Sequence, residues 1–201
     1  ALADFHKTGA GTLVWPAVAA TNFLRDIYVD EGSLSISSAT GLGSGNLYLD
    51  GGNLTVTANV SLGGAPLKLL QDATVSVSSG ATLTAGTGKI VAANHVLSKT
   101  GLGTITLSGN AQETHFTNAR VVVEEGTFYV GQDTWGGHVS DPTVVIEVHE
   151  QGLFQSNLHL PLPRVVMRGG RMLNTSRLSA GETHTTWMGF SFRHSFTVLP
   201  S

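Results

Sequence analysis

The chain has 201 residues, enough to bury a core either as one elongated domain or as two small globular ones. Cysteine is absent, which excludes disulfides and thiolate metal sites, and no apolar run approaches the roughly 18 residues of a membrane-spanning helix. Lysines and arginines total 11 against 14 aspartates and glutamates, a net charge of -3, and no basic stretch with interleaved aromatics is present to meet nucleic acid.

Twenty-five glycines and only 12% charged residues, with Val, Thr, Leu and Ser between the glycines, predict many short strands joined by tight turns. The start, ALADFHKTG, has neither the charged leader nor the apolar core of a signal peptide. It opens inside a repeat, so the chain is read as a fragment of a longer one, with 1–201 forming a single segment.

The octamer KTGAGTLV at 7–14 returns as KTGLGTIT at 99–106, 92 residues later. Its first copy leads to IYVDEGSLSIS at 27–37 and its second to VVVEEGTFYV at 121–130. Gly32 and Gly126 lie 94 apart, so the connecting segment has gained two residues, as a loop can and a strand in register cannot. The paired glycines of TGxGT can take positive φ and turn the chain at a corner, and the Asp-Gly and Glu-Gly steps make the next corner by similar means.

Between the two copies the glycine-then-apolar element recurs as DGGNLTV at 50–56 and SSGATLT at 78–84, and after them as EQGLF at 150–154 and RGGRML at 168–173. Glycines 32, 52, 80, 126, 152 and 170 are separated by 20, 28, 46, 26 and 18 residues, and Gly103 divides the 46 into two of 23. That loose period is one turn of a β-solenoid. Within the units apolar residues alternate: Leu54, Val56, Ala58, Val60 and Leu62 share one parity, and Ile27/Val29, Leu34/Ile36, Ile105/Leu107, Phe128/Val130 and Ile146/Val148 repeat the pattern. Such strands gain a continuous core only when stacked on one another.

KTGAGTLV with VDEGSLSI, and KTGLGTITLSGN with VEEGTFYV, resemble the autotransporter-associated β-strand repeat of passenger domains that bacteria secrete across the outer membrane. The match covers 5–37 and 97–131, about a third of the chain. It implies a right-handed parallel β-helix, here all-β with eight or nine coils, about 40 Å long at roughly 4.8 Å per coil. It also implies an extracellular or cell-surface setting but no single activity. Freedom from cysteine suits a chain threaded unfolded through a pore, and folding from coil to coil suits emergence end first. The expected role is a structural or adhesive stalk, whose partners are neighbouring segments of its own chain, other subunits or surface glycans. A phage or viral fibre component and a polysaccharide-acting β-helix enzyme are the alternatives. An enzyme requires carboxylates from different coils to converge in one groove. A fibre requires trimers and an exposed apolar seam.

The longest loop-like insertion, GQDTWGGHVSDP at 131–142, holds the ligand-binding candidates: Asp133 and Asp141 as carboxylates, His138 between them, and Trp135 to stack on a sugar ring. The plainer reading is a corner loop whose Trp covers the core. Asp30/Glu31 and Glu124/Glu125 recur at equivalent corners and are read as turn residues. His138, His149 and His159 stand 11 and 10 residues apart, half-coil steps that place them on different faces, so neither a metal nor a cofactor is expected. GLGSG at 41–45 lacks the spacing and setting of a nucleophile elbow, and no helix follows TGAGT to bind phosphate.

Residues 158–201 carry five arginines against Glu182 alone, +4, which leaves -7 for 1–157. Arg164, Arg168, Arg171 and Arg177 form a candidate basic patch, read as a solvated face, with an acidic polymer or neighbouring subunit as the alternative. The closing WMGFSFRHSF at 187–196 alternates large apolar with small or polar residues, and 187–201 is expected to cap the solenoid or join it to a further domain.

Overall fold

A computed structural model describes residues 3–15, 17, 25–40, 42–62, 66–85, 90–107, 116–131, 143–156, 160–162, 164–175, 190–192 and 195–200. The described residues form a parallel β-solenoid with no helix. Face one stacks five strands: β1 (Phe5–Lys7), β3 (Ile27–Val29), β5 (Leu47–Leu49), β8 (Leu67–Leu69) and β11 (Ile90–Val91). Face two begins with β2 (Thr12–Val14), β4 (Ser33–Ile36), β6 (Asn53–Val56), β9 (Ala73–Val77) and β12 (Val96–Thr100). It continues through the first halves of β14 (Arg120–Val130) and β15 (Val145–Ser156) to β17 (Arg164–Arg168) and β20 (Phe196–Leu199). Face three holds β7 (Val60–Ser61), β10 (Thr82–Ala85) and β13 (Thr104–Leu107), then the second halves of β14 and β15, then β18 (Arg171–Asn174).

All these pairings are parallel. Face two stacks nine rungs, which at about 4.8 Å between neighbours span about 40 Å, while faces one and three carry five and six among the described residues. Part of the terminal segment expected as a cap or junction is β20, the ninth rung; β19 (Phe190–Phe192) pairs with β16 (Leu160–Leu162) in a separate two-stranded sheet.

Alternation in sequence becomes alternation between bore and solvent. Leu34, Leu54, Val75, Val123 and Val148 occupy one inward column of face two, each essentially fully buried. Phe116, Phe128 and Phe154 widen the filling toward the later coils, and the Phe128 and Phe154 rings lie 6.1 Å apart in register. Polar corner side chains tie coil to coil: Asp26 Oδ1 accepts from the Asn46 backbone N–H at 2.7 Å, and Asp72 Oδ1 from that of Val96 at 2.8 Å. Such bonds occupy backbone groups that turns leave without a ladder partner.

The two octamers sit at different corners. KTGAGT turns the chain from face one to face two, between β1 and β2, whereas KTGLGT turns it from face two to face three, between β12 and β13. The acidic pairs follow the same displacement, so the corners read as equivalent in sequence are one third of a coil apart in the solenoid.

Candidate functional site

At each octamer a lysine that shares the parity of the inward apolar residues enters the core. Lys99 lies in the column between Val75 and Val123 and is 0% exposed; Lys7 stacks on Val29. Their ammonium groups reach the corner and meet backbone carbonyls. Lys99 Nζ donates to Thr100 O at 2.8 Å, Gly101 O at 2.5 Å and Glu125 O at 2.9 Å. Lys7 Nζ donates to Thr8 O and Glu31 O, both at 2.9 Å, and to Gly9 O. Three donors meet three acceptors, which makes a buried charge tolerable. Burial pushes the Lys99 pKa down to about 8, with Glu125 opposing the shift.

The acidic residue of the next coil completes each corner. Glu125 Oε2 accepts from Gly101 N–H at 3.0 Å, and Glu31 Oε2 from Gly9 N–H at 2.8 Å. The following glycine has φ near +66°, and a Cβ on Gly126 would lie 2.4 Å from Gly103 O. Only glycine fits that approach.

A second charged assembly stands on the outer side of face two. Glu147 alternates with inward Ile146 and Val148 and so points outward, yet it is 2% exposed because Arg120 of β14 and Arg168 of β17 fold over it from the adjoining rungs. Both guanidiniums donate to its carboxylate, and His149 Nε2 lies 2.8 Å from Oε1. Burial pushes the Glu147 pKa up, but the hydrogen bonds from Arg120, Arg168 and His149 outweigh it, and the net shift is downward.

A β-bulge places His149. The register moves from Val123↔Val148 to Glu125↔Gln151, so His149 and Glu150 together face Glu124. The ring spans the gap, with Nδ1 2.9 Å from Glu124 Oε2. A carboxylate oxygen thus lies within hydrogen-bond distance of each ring nitrogen. Beside it opens a depression of about 440 Å³ lined by Glu124, Glu125, His149, Glu150, Arg168 and Pro200. Carboxylates from two successive rungs thus converge on one histidine. Glu147, held ionised by two arginines, is suited to bracing three rungs rather than to delivering a proton.

On face one, outward rings stack up the solenoid. His6, Tyr28 and Tyr48 follow at centroid distances of 4.7 and 4.6 Å with their planes nearly parallel, and Lys68 Nζ caps the Tyr48 ring at 5.3 Å. Burial first, then the Tyr48 charge and neighbouring aspartates, raise the Tyr28 pKa.

Asp133, Trp135, His138 and Asp141 lie outside the described residues, as do His159 and Arg177. Arg164 and Arg168 stand at opposite ends of β17, the first exposed and the second engaged by Glu147, while Arg171 opens β18 and is exposed. Asp30 and Glu31 act at their corner as expected, Asp30 holding His6 Nδ1 at 2.8 Å, but Glu124 also reaches out to His149. The sequence reading missed the buried lysines and the Glu147 assembly. Both left a signal: Lys99 has the parity of Leu97, and Val148 is separated from Gly152 by one residue more than Val123 from Gly126.

Comparison of the chain with protein-family models, with curated proteins and with solved structures finds no match.

Proposed function

We propose that this solenoid is a structural or adhesive segment of a secreted or cell-surface protein of the autotransporter passenger kind. The observation that carries the reading is the unbroken stack of nine parallel rungs on face two. Corner side chains add to it by joining each coil to the next. Such a stack resists bending because neighbouring rungs share backbone hydrogen bonds along their length, and it presents long, regular side walls. The resemblance of both octamer units to passenger repeats supports the setting.

The test is surface accessibility of the full-length gene product in its own cells. Antibodies against 1–201 should label intact cells, and external protease should remove the epitope while cytoplasmic markers survive. An epitope that appears only after lysis would overturn the proposal.

A further inference from the structure

The outward side of face three carries a two-column hydroxyl lattice. Parallel register aligns Thr82, Thr104 and Thr127 in one column and Ser61, Thr84 and Thr106 in the other. Neighbouring rungs stand about 4.8 Å apart and alternate residues of a strand about 6.7 Å apart, so the hydroxyls and methyls fall on a nearly rectangular grid. Threonine is stiff at χ1, so its hydroxyl and methyl hold their places at little entropic cost.

Two observations separate this wall from an ordinary solvated strand face. Corner side chains such as Asp26, Asn53, Asn59 and Asp72 bond to the next coil, whereas none of these five threonine side chains hydrogen-bonds to another described residue. Charge is segregated as well. The strands β7, β10 and β13 contain no charged residue; in the same coils Asp50, Lys68 and Asp72 stand on face one or at the corners. Face two continues the pattern with Thr55, Ser76 and Thr100 in one outward column.

Over these rungs an uncharged, pre-ordered grid of hydroxyls and methyls complements a neutral, periodic ligand; beyond them one column passes through Leu153 to the exposed Arg171. Crystalline polysaccharide is engaged chiefly through aromatic platforms, and these columns offer only Tyr129, before one of them runs on through Gln155 to Leu173. Ice fits better: threonine methyls order adjacent water and the hydroxyls anchor it. We propose that the threonine-bearing part of face three, built on β7, β10 and β13, binds ice. The inference deepens the adhesive reading and relies on it only for cellular location.

Purified chain 1–201 should be incorporated into a slowly growing ice hemisphere and should slow ice recrystallisation. Thr84→Lys and Thr106→Lys should each reduce incorporation by about tenfold or more, because lattice contact strips water from an unpaired ammonium. Circular dichroism and light scattering confirm that the variants fold, and Lys68→Gln on face one should leave incorporation unchanged. Folded wild-type chain excluded from ice, incorporation insensitive to both threonine variants, or retention on crystalline cellulose or chitin in place of ice would each overturn the proposal. Exclusion from ice together with surface labelling of intact cells would remove this inference and leave the proposed function standing.

Discussion

Lys99 and Glu125 close one corner of the solenoid reciprocally: the ammonium donates to the Glu125 carbonyl at 2.9 Å, and the Glu125 carboxylate accepts the N–H of Gly101 at 3.0 Å. Two backbone segments in successive coils are thereby joined by two side chains running in opposite directions. Lys7 and Glu31 repeat the arrangement 92 and 94 residues earlier.

Removing the lysine strands three carbonyls and leaves a void. Lys99→Ala should therefore cost about 3 kcal/mol in urea unfolding, and Lys99→Met, which fills the space without donors, should cost less. A loss under about 0.5 kcal/mol for the alanine variant, typical of a surface site, would contradict the burial of this charge.

The Lys99 pKa of about 8 also sets a pH dependence. The folded-state value lies below the unfolded value of 10.5, so between the two the unfolded chain binds more protons and stability from this group rises with pH. Wild-type stability minus that of Lys99→Met should climb between about pH 8 and 10.5 and be flat below. Taking the difference cancels Tyr28 and Tyr48, whose raised pKa values act oppositely at the alkaline end.

Glu147→Gln leaves two guanidiniums facing a neutral amide, and should lower stability by about 2 kcal/mol, less at high salt because both arginines are partly exposed. The carboxyl is depressed in the fold, so its contribution is present above the unfolded value, about 4.3, and is lost as pH falls through the lower folded value. Acid titration of both proteins by near-ultraviolet circular dichroism should show the wild type losing its advantage in that window. Parallel curves would sink the assignment.

Gly80 and Gly126 both have positive φ, +75° and +66°, but nothing lies within 4 Å of a Cβ built on Gly80, whereas one on Gly126 meets Gly103 O. Gly80→Ala should cost about 1 kcal/mol from backbone strain alone. Gly126→Ala should cost several times as much. Equal denaturation midpoints would show that the coils can separate at that corner without penalty.

The stacked, parallel character of the fold was legible because Leu54, Val56 and their counterparts hold strict alternation and because glycine marks the corners. The site was less legible for a geometric reason. Which outward side chains meet depends on register between residues about 20 to 27 apart, as with Arg120, Glu147 and Arg168, and a loose period blurs that register. The one-residue bulge that turns His149 toward Glu124 is visible only once Val123 and Val148 are known to be neighbours. Charge also misleads when read by residue type: Lys99 resembles a surface lysine in composition, yet it takes a place in the aliphatic column.

The appearance of one octamer at two different bends bears on how such a rod can change its outline. Each joint brings its own fastening, a cation from beneath and an acid from above, so it does not depend on which side of the cross-section it serves. Slippage by one wall's worth of residues can then rotate the sequence around the axis while every joint still closes, and the decoration of each wall becomes free to diverge.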